Sequence, residues 1–170
     1  MKIAGFLAET VFVIFLFASA TFAEDVLLQI EVQNSLNYTS DQSTFELTFP
    51  DFTKGSVTNT VSVHYSLMAN DVGRMQGVIS GHLEAPFPGI DFQARVCPYS
   101  RRSGNASLVP ASSGFVGVTT DDTGWANKVV DEGDGKLIDG SLVIDYRAVA
   151  TEDQPAGQQT GMLTVSFVDN

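Results

Sequence analysis

Apolar residues recur at every second position along most of this chain, and that period excludes a helical fold. In "DVLLQIEVQN", residues 25–34, Val26, Leu28, Ile30 and Val32 fall on one side, with Gln29, Glu31 and Gln33 on the other. The same alternation runs through Phe45, Leu47 and Phe49 of "TFELTF", and through Val61, Val63, Tyr65 and Leu67 of "VTNTVSVHYSL". It returns at Ile90, Phe92, Ala94 and Val96, at Leu142, Ile144, Tyr146 and Ala148, and at Leu163, Val165 and Phe167 near the C-terminus. Successive side chains of a strand point to opposite faces, so each segment buries one face and solvates the other. "MQGVISGHL" reads as a further strand weakened by Gly77 and Gly81, and "FVGVTT" as a short one.

Turn residues separate these runs: Lys54-Gly55, Asn70-Asp71 with Gly73, and Pro86 with Pro88. The stretch "SRRSGNASLVPASSG" reads as a loop. "TDDTGWANKVVDEGDGKLIDG" reads as a turn-rich region in which Asp134-Gly135 and Asp139-Gly140 suit tight hairpins, because Gly accepts positive φ. About seven to nine short strands punctuated in this way predict an all-β domain, a single antiparallel β-sandwich of immunoglobulin-like type. The chain shows no internal repeat and no domain linker.

Residues 1–23 read as a cleaved secretory signal peptide: Met1-Lys2, an apolar stretch densest over residues 11–17, then small residues. Cleavage after Ala23 leaves Glu24-Asp25 at the new end, while cleavage after Ala20 obeys the small-x-small rule more strictly. Glu9, ahead of the apolar stretch, is an unusual feature. The unbroken apolar run is well short of the roughly 20 residues of a membrane span, so an anchor is the weaker reading. Residues 24–170 then form one secreted domain.

The net charge of −11 repels phosphates and argues against nucleic acid as a partner. Cys97, the single cysteine, excludes a disulfide within the chain; it reads as a buried small apolar residue or as an intermolecular link. Asn37 and Asn105 open two N-x-S/T sequons.

Little here looks reactive. His64 sits on the polar side of its strand, and neither it nor His82 accompanies a nucleophile motif, so both read as surface residues and no catalytic residue is assigned. One cysteine and two separated histidines argue against zinc. The acidic run from Asp121-Asp122 through Asp131, Glu132, Asp134 and Asp139 lacks the regular spacing of a calcium loop and reads as solvated turns. No metal or cofactor is expected. Trp125 reads as filling the end of a core, with a sugar-stacking platform as the alternative; Arg101-Arg102 reads as solvated.

Edge strands, by contrast, carry open backbone N–H and C=O groups that must be covered or used. Strand addition uses them: backbone hydrogen bonds supply affinity and alternate side chains fill pockets. The leading strand has that form, with apolar knobs at every second position. It equally suits an ordinary first strand paired within its own chain.

A leader, an alternating N-terminal strand, a Ser/Thr-rich step and "FELTF" are followed at the far end by Pro155, Gly157 and Gly161 ahead of Leu163, Val165 and Phe167. This order resembles the alpha-type chaperone/usher pilins, the major-subunit group that includes colonisation-factor and common-pilus subunits. Gln159 stands where that group carries an aromatic residue. The resemblance implies a non-enzymatic subunit that passes through the periplasm to the cell surface, with a groove where one strand is missing. A periplasmic chaperone would fill the groove until the N-terminal strand of the next subunit replaced it. Val26, Leu28, Ile30 and Val32 would be the donor knobs, and Leu163, Val165 and Phe167 one wall of the receiving groove. The rival reading is a secreted carbohydrate-binding or adhesin module acting as a monomer, with Trp125 and Tyr99 on an exposed face; a secreted hydrolase ranks last.

Overall fold

A computed structural model describes residues 9–12, 27–30, 36–70, 72 and 77–169, and the chain over these residues is all-β. The strands are β1 (Glu9–Phe12), β2 (Leu27–Ile30), β3 (Leu36–Ser40), β4 (Val61–Ala69), β5 (Gly77–Leu83) and β6 (Ile90–Val96). They continue with β7 (Ser100–Gly104), β8 (Ala106–Pro110), β9 (Val116–Gly117), β10 (Thr123–Val130), β11 (Ile138–Ala150) and β12 (Leu163–Asp169). One sheet runs β1-β2-β12-β5-β10-β8 and the other β3-β4-β11-β6-β9, with β7 also on β11. All pairings are antiparallel except β2 on β12.

The alternation read from the sequence is the alternation of burial. Val63, Tyr65 and Leu67 on β4, Phe92 and Ala94 on β6, and Leu163, Val165 and Phe167 on β12 are all buried in one core shared by the two sheets. Its centre is Tyr146 on β11, which stacks on Phe45 at 4.9 Å and on Phe92 at 5.7 Å. Trp125 of the opposite sheet meets the same ring edge-on at 6.4 Å. The Tyr146 hydroxyl lies 2.8 Å from that of Tyr65, whose ring stacks on Tyr38 at 5.3 Å. A hydroxyl can be buried at this depth because each of the two satisfies the other.

Several expectations are corrected. "TFELTF" is not a ladder strand. Phe45, Leu47 and Phe49 are buried alternately as expected, but the Asn59 carboxamide replaces a neighbouring strand: its Oδ1 accepts the Thr48 N–H at 2.7 Å, and its Nδ2 donates to the Glu46 carbonyl at 3.4 Å. The expected loop at residues 100–114 holds β7 and β8. β7 is polar and exposed because it pairs with the start of β11 through its backbone and buries little of its own, so no apolar alternation marks it. The turn into β8 falls at Gly104, with φ +97°.

The turn-rich region also contains a strand, β10, and a register shift between Gly124 and Ala126 explains why its pattern is hard to read. A bulge there turns Trp125 and Ala126 both inward, breaking period two. Asp134-Gly135 is a turn as expected, with Gly135 at φ +65°. Asp139-Gly140 instead lies inside β11. Its glycine is required by packing: a Cβ on Gly140 would enter the Tyr99 ring and the Ser100 carbonyl. Twelve strands among the described residues exceed the expected seven to nine, the additional ones being β1, β3, β7, β8 and β10.

Candidate functional site

β12 has two unequal edges. On one side it pairs with β5 along its whole length, from Leu163 opposite Leu83 to Asp169 opposite Gly77. On the other it meets β2 in parallel at two positions, Leu163 with Leu28 and Thr164 with Gln29. From Val165 onward, no strand covers that edge among the described residues. Leu163, Val165 and Phe167 point into the core and are at most 2% exposed. Among the described residues the sheets end at β1 and β8, and at β3 and the two-residue β9.

Of the four anticipated donor residues, Leu28 and Ile30 lie in β2, and Val26 and Val32 fall outside the described residues. Residues 27–30 pair on their other side with residues 9–12, from Glu9 opposite Ile30 to Phe12 opposite Leu27. Part of the expected leader thus forms a hairpin with part of the expected donor, and the hairpin rests on β12.

The outer face of the second sheet carries a polar cluster that sequence reasoning missed. Asp145 faces outward from β11 yet is only 6% exposed. Its carboxylate accepts from Ser62 Oγ at 2.6 Å and from Arg95 Nη2 at 2.6 Å, and Cys97 Sγ lies 3.5 Å away. Phe115 closes over the neighbouring face, with the Arg95 and Arg147 guanidinium carbons 4.7 and 3.9 Å from its ring centre. The available signal was a carboxylate and an arginine at outward positions of two apolar strands, which register places opposite each other.

Burial alone would raise the Asp145 carboxyl, but the hydrogen bonds from Ser62, Arg95 and Cys97 outweigh it and hold it below the ordinary range. A depressed folded value contributes stability above the unfolded value, near about 4, that is lost as pH falls through the folded one. Asp145→Asn is therefore expected to lower stability at neutral pH and to flatten the acid limb of a urea-midpoint-versus-pH curve. Acid limbs of equal slope in the two proteins would refute the assignment.

Cys97 is half-buried rather than buried, and free. Burial first, and the Asp145 charge second, raise its thiol above the usual range. Iodoacetamide at mildly alkaline pH should alkylate the folded protein several-fold more slowly than the urea-unfolded chain, since the thiolate is the reactive form. Equal rates would exclude this environment.

The other candidates are accounted for locally. His64 is exposed and His82 half-buried, its Nδ1 3.7 Å from Asp122 Oδ1. The acidic residues point to different partners: Asp122 accepts from Ser80, Asp131 from Arg101 and Ser107, Asp134 from Asn105, and Asp139 from Ser103. Arg101 and Arg102 are exposed, as expected, and are ion-paired at the surface with Asp131 at 3.0 Å and Asp139 at 3.1 Å. Trp125 is 3% exposed and fills the core, so it offers no stacking platform. Asn37 is exposed, whereas the Asn105 side chain is held by Asp134 and the Leu137 N–H and is poorly placed to accept a glycan. No family model matches the chain, and no curated protein matches it.

Proposed function

We propose that this protein is a non-enzymatic, secreted surface subunit with an immunoglobulin-like fold that assembles by β-strand addition. In this reading the segment carrying Val26, Leu28, Ile30 and Val32 is the donated strand. The β12 edge, backed by Leu163, Val165 and Phe167, receives it. The resemblance to alpha-type chaperone/usher pilins supplies the context: a periplasmic chaperone first, then a neighbouring subunit at the cell surface.

The observation that carries the reading is the asymmetry of β12, paired throughout on β5 and over only two residues on β2. An edge of this length with core-filling alternate residues behind it is what an added strand requires, because each new backbone hydrogen bond is formed beside a preorganised wall. The reading rests on backbone geometry and needs no reactive group.

Deletion of residues 24–33 separates donation from ordinary intrachain pairing. Donation predicts loss of polymers by size-exclusion light scattering and a domain that is stabilised again by a synthetic peptide of residues 24–33. A deletion variant that polymerises like the parent, or one that unfolds and is not rescued by the peptide, overturns the proposal.

A further inference from the structure

We propose that Pro110 closes the β8 edge to strand addition and leaves addition in that sheet to β12. The closure is read from the β8 backbone and stands by itself, while its meaning for assembly rests on the strand-addition reading above.

β8 ends its sheet, with β10 on one side and no strand on the other among the described residues. Two bonds fix which way its backbone groups face. The Ala111 N–H donates to the Trp125 carbonyl at 2.8 Å, and the Asn105 carbonyl accepts from the Asp131 N–H at 3.0 Å. Backbone groups alternate sides along a strand, so the odd-numbered residues between these bonds face β10, and Ala106, Leu108 and Pro110 face outward. Ala106 has already given its N–H to the Leu137 carbonyl at 3.2 Å. Pro110 has none to give. Leu108 alone keeps an outward N–H, and a ladder needs a donor at every second residue. The block lies in the backbone rather than in the side chains: Val109 is 49% exposed and would not repel an apolar strand. Proline is compatible with the fold here for the same reason that it refuses a partner, since the missing N–H points away from the sheet.

The neighbouring part of the second sheet follows the same rule. A cleft of about 370 Å³ is lined by Pro110 on one side and by Val96 and Pro98 on the other. The Cys97 N–H donates to the Val143 carbonyl of β11 at 2.8 Å, so Val96 turns its N–H away from β11, and Pro98, again without an N–H, comes next. β12 differs. There the Glu84 N–H donates to the Met162 carbonyl at 2.9 Å, which sets the even-numbered residues toward β5 and Val165, Phe167 and Asp169 toward the uncovered side. Each of these three carries an N–H, so β12 offers the unbroken row of donors that β8 lacks.

The test is Pro110→Val in the full chain, read by amide hydrogen exchange and light scattering over a range of protein concentrations. Pro110→Ala adds the same donor with less bulk and repeats the measurement. In either variant the Leu108 amide should exchange roughly tenfold more slowly at high than at low concentration, as a second copy pairs along β8, and the scattering mass should rise above the parent's. In the parent the Leu108 rate should not depend on concentration. Val109→Lys added to Pro110→Val should return both readouts to the parent's values, because a charged side chain blunts an open edge. A Leu108 rate independent of concentration in both proline variants overturns the proposal, and so does concentration-dependent protection of Leu108 in the parent. Failure of the strand-addition reading would show elsewhere: the Val165 and Phe167 amides of the parent would exchange at one rate at every concentration, whatever Leu108 does.

Discussion

Tyr146→Ala is expected to remove about 5 kcal/mol, enough to unfold a domain whose total stability is of the usual 5–15 kcal/mol. The residue is fully buried and its ring touches both sheets, through Phe92 beside it on β6 and Trp125 across the core. Truncating a buried aromatic costs about 3–5 kcal/mol in packing alone. Here it also removes the partner of the fully buried Tyr65 hydroxyl, 2.8 Å away. Tyr146→Phe isolates that second part and should cost about 1–2 kcal/mol. Tyr65→Phe combined with Tyr146→Phe should be less destabilising than the two single changes added together, because both ends of the bond then go at once. Urea unfolding with an unchanged m-value is the measurement; strict additivity would mean that the two hydroxyls are not partners.

What the sequence discloses follows from how burial is distributed. Strands at the centre of a sheet must alternate, so Val63 to Leu67, Phe92 to Val96 and Leu163 to Phe167 were legible, and their buried faces were named correctly. β7 was not, because a polar edge strand buries almost nothing and leaves no pattern. β10 was not, because one bulge at Trp125 shifts the phase halfway along. Asp139-Gly140 misled because Gly serves two needs, positive φ and close approach, and only the Tyr99 ring decides between them. The burial of Leu163, Val165 and Phe167 was therefore readable, whereas the Asp145 cluster depends on contacts between distant segments.

Gly81→Ala is expected to destabilise by about 3 kcal/mol or more, a large effect for one added methyl group. A Cβ at this position would enter the six-membered ring of Trp125, which lies across the strand where a side chain would otherwise stand. The indole cannot retreat: it is 3% exposed and its other side meets Tyr146. Removing the indole should then reverse the sign of the argument. Trp125→Ala alone should cost about 3–5 kcal/mol, but Gly81→Ala added to it should cost far less than in the parent, a coupling of about 1–3 kcal/mol. Full additivity in a double-mutant cycle by urea unfolding would show that the two residues do not share this space. The pair matters beyond stability because Gly81 is the partner of Val165 in the β5–β12 ladder. The glycine and the indole together fix β5 at Val165, beyond which no strand among the described residues pairs with the opposite edge of β12. A shift of β5 at Gly81 would move the wall of the proposed receiving edge, so Gly81→Ala in any folded fraction should weaken binding of a 24–33 peptide at least as much as it weakens the fold.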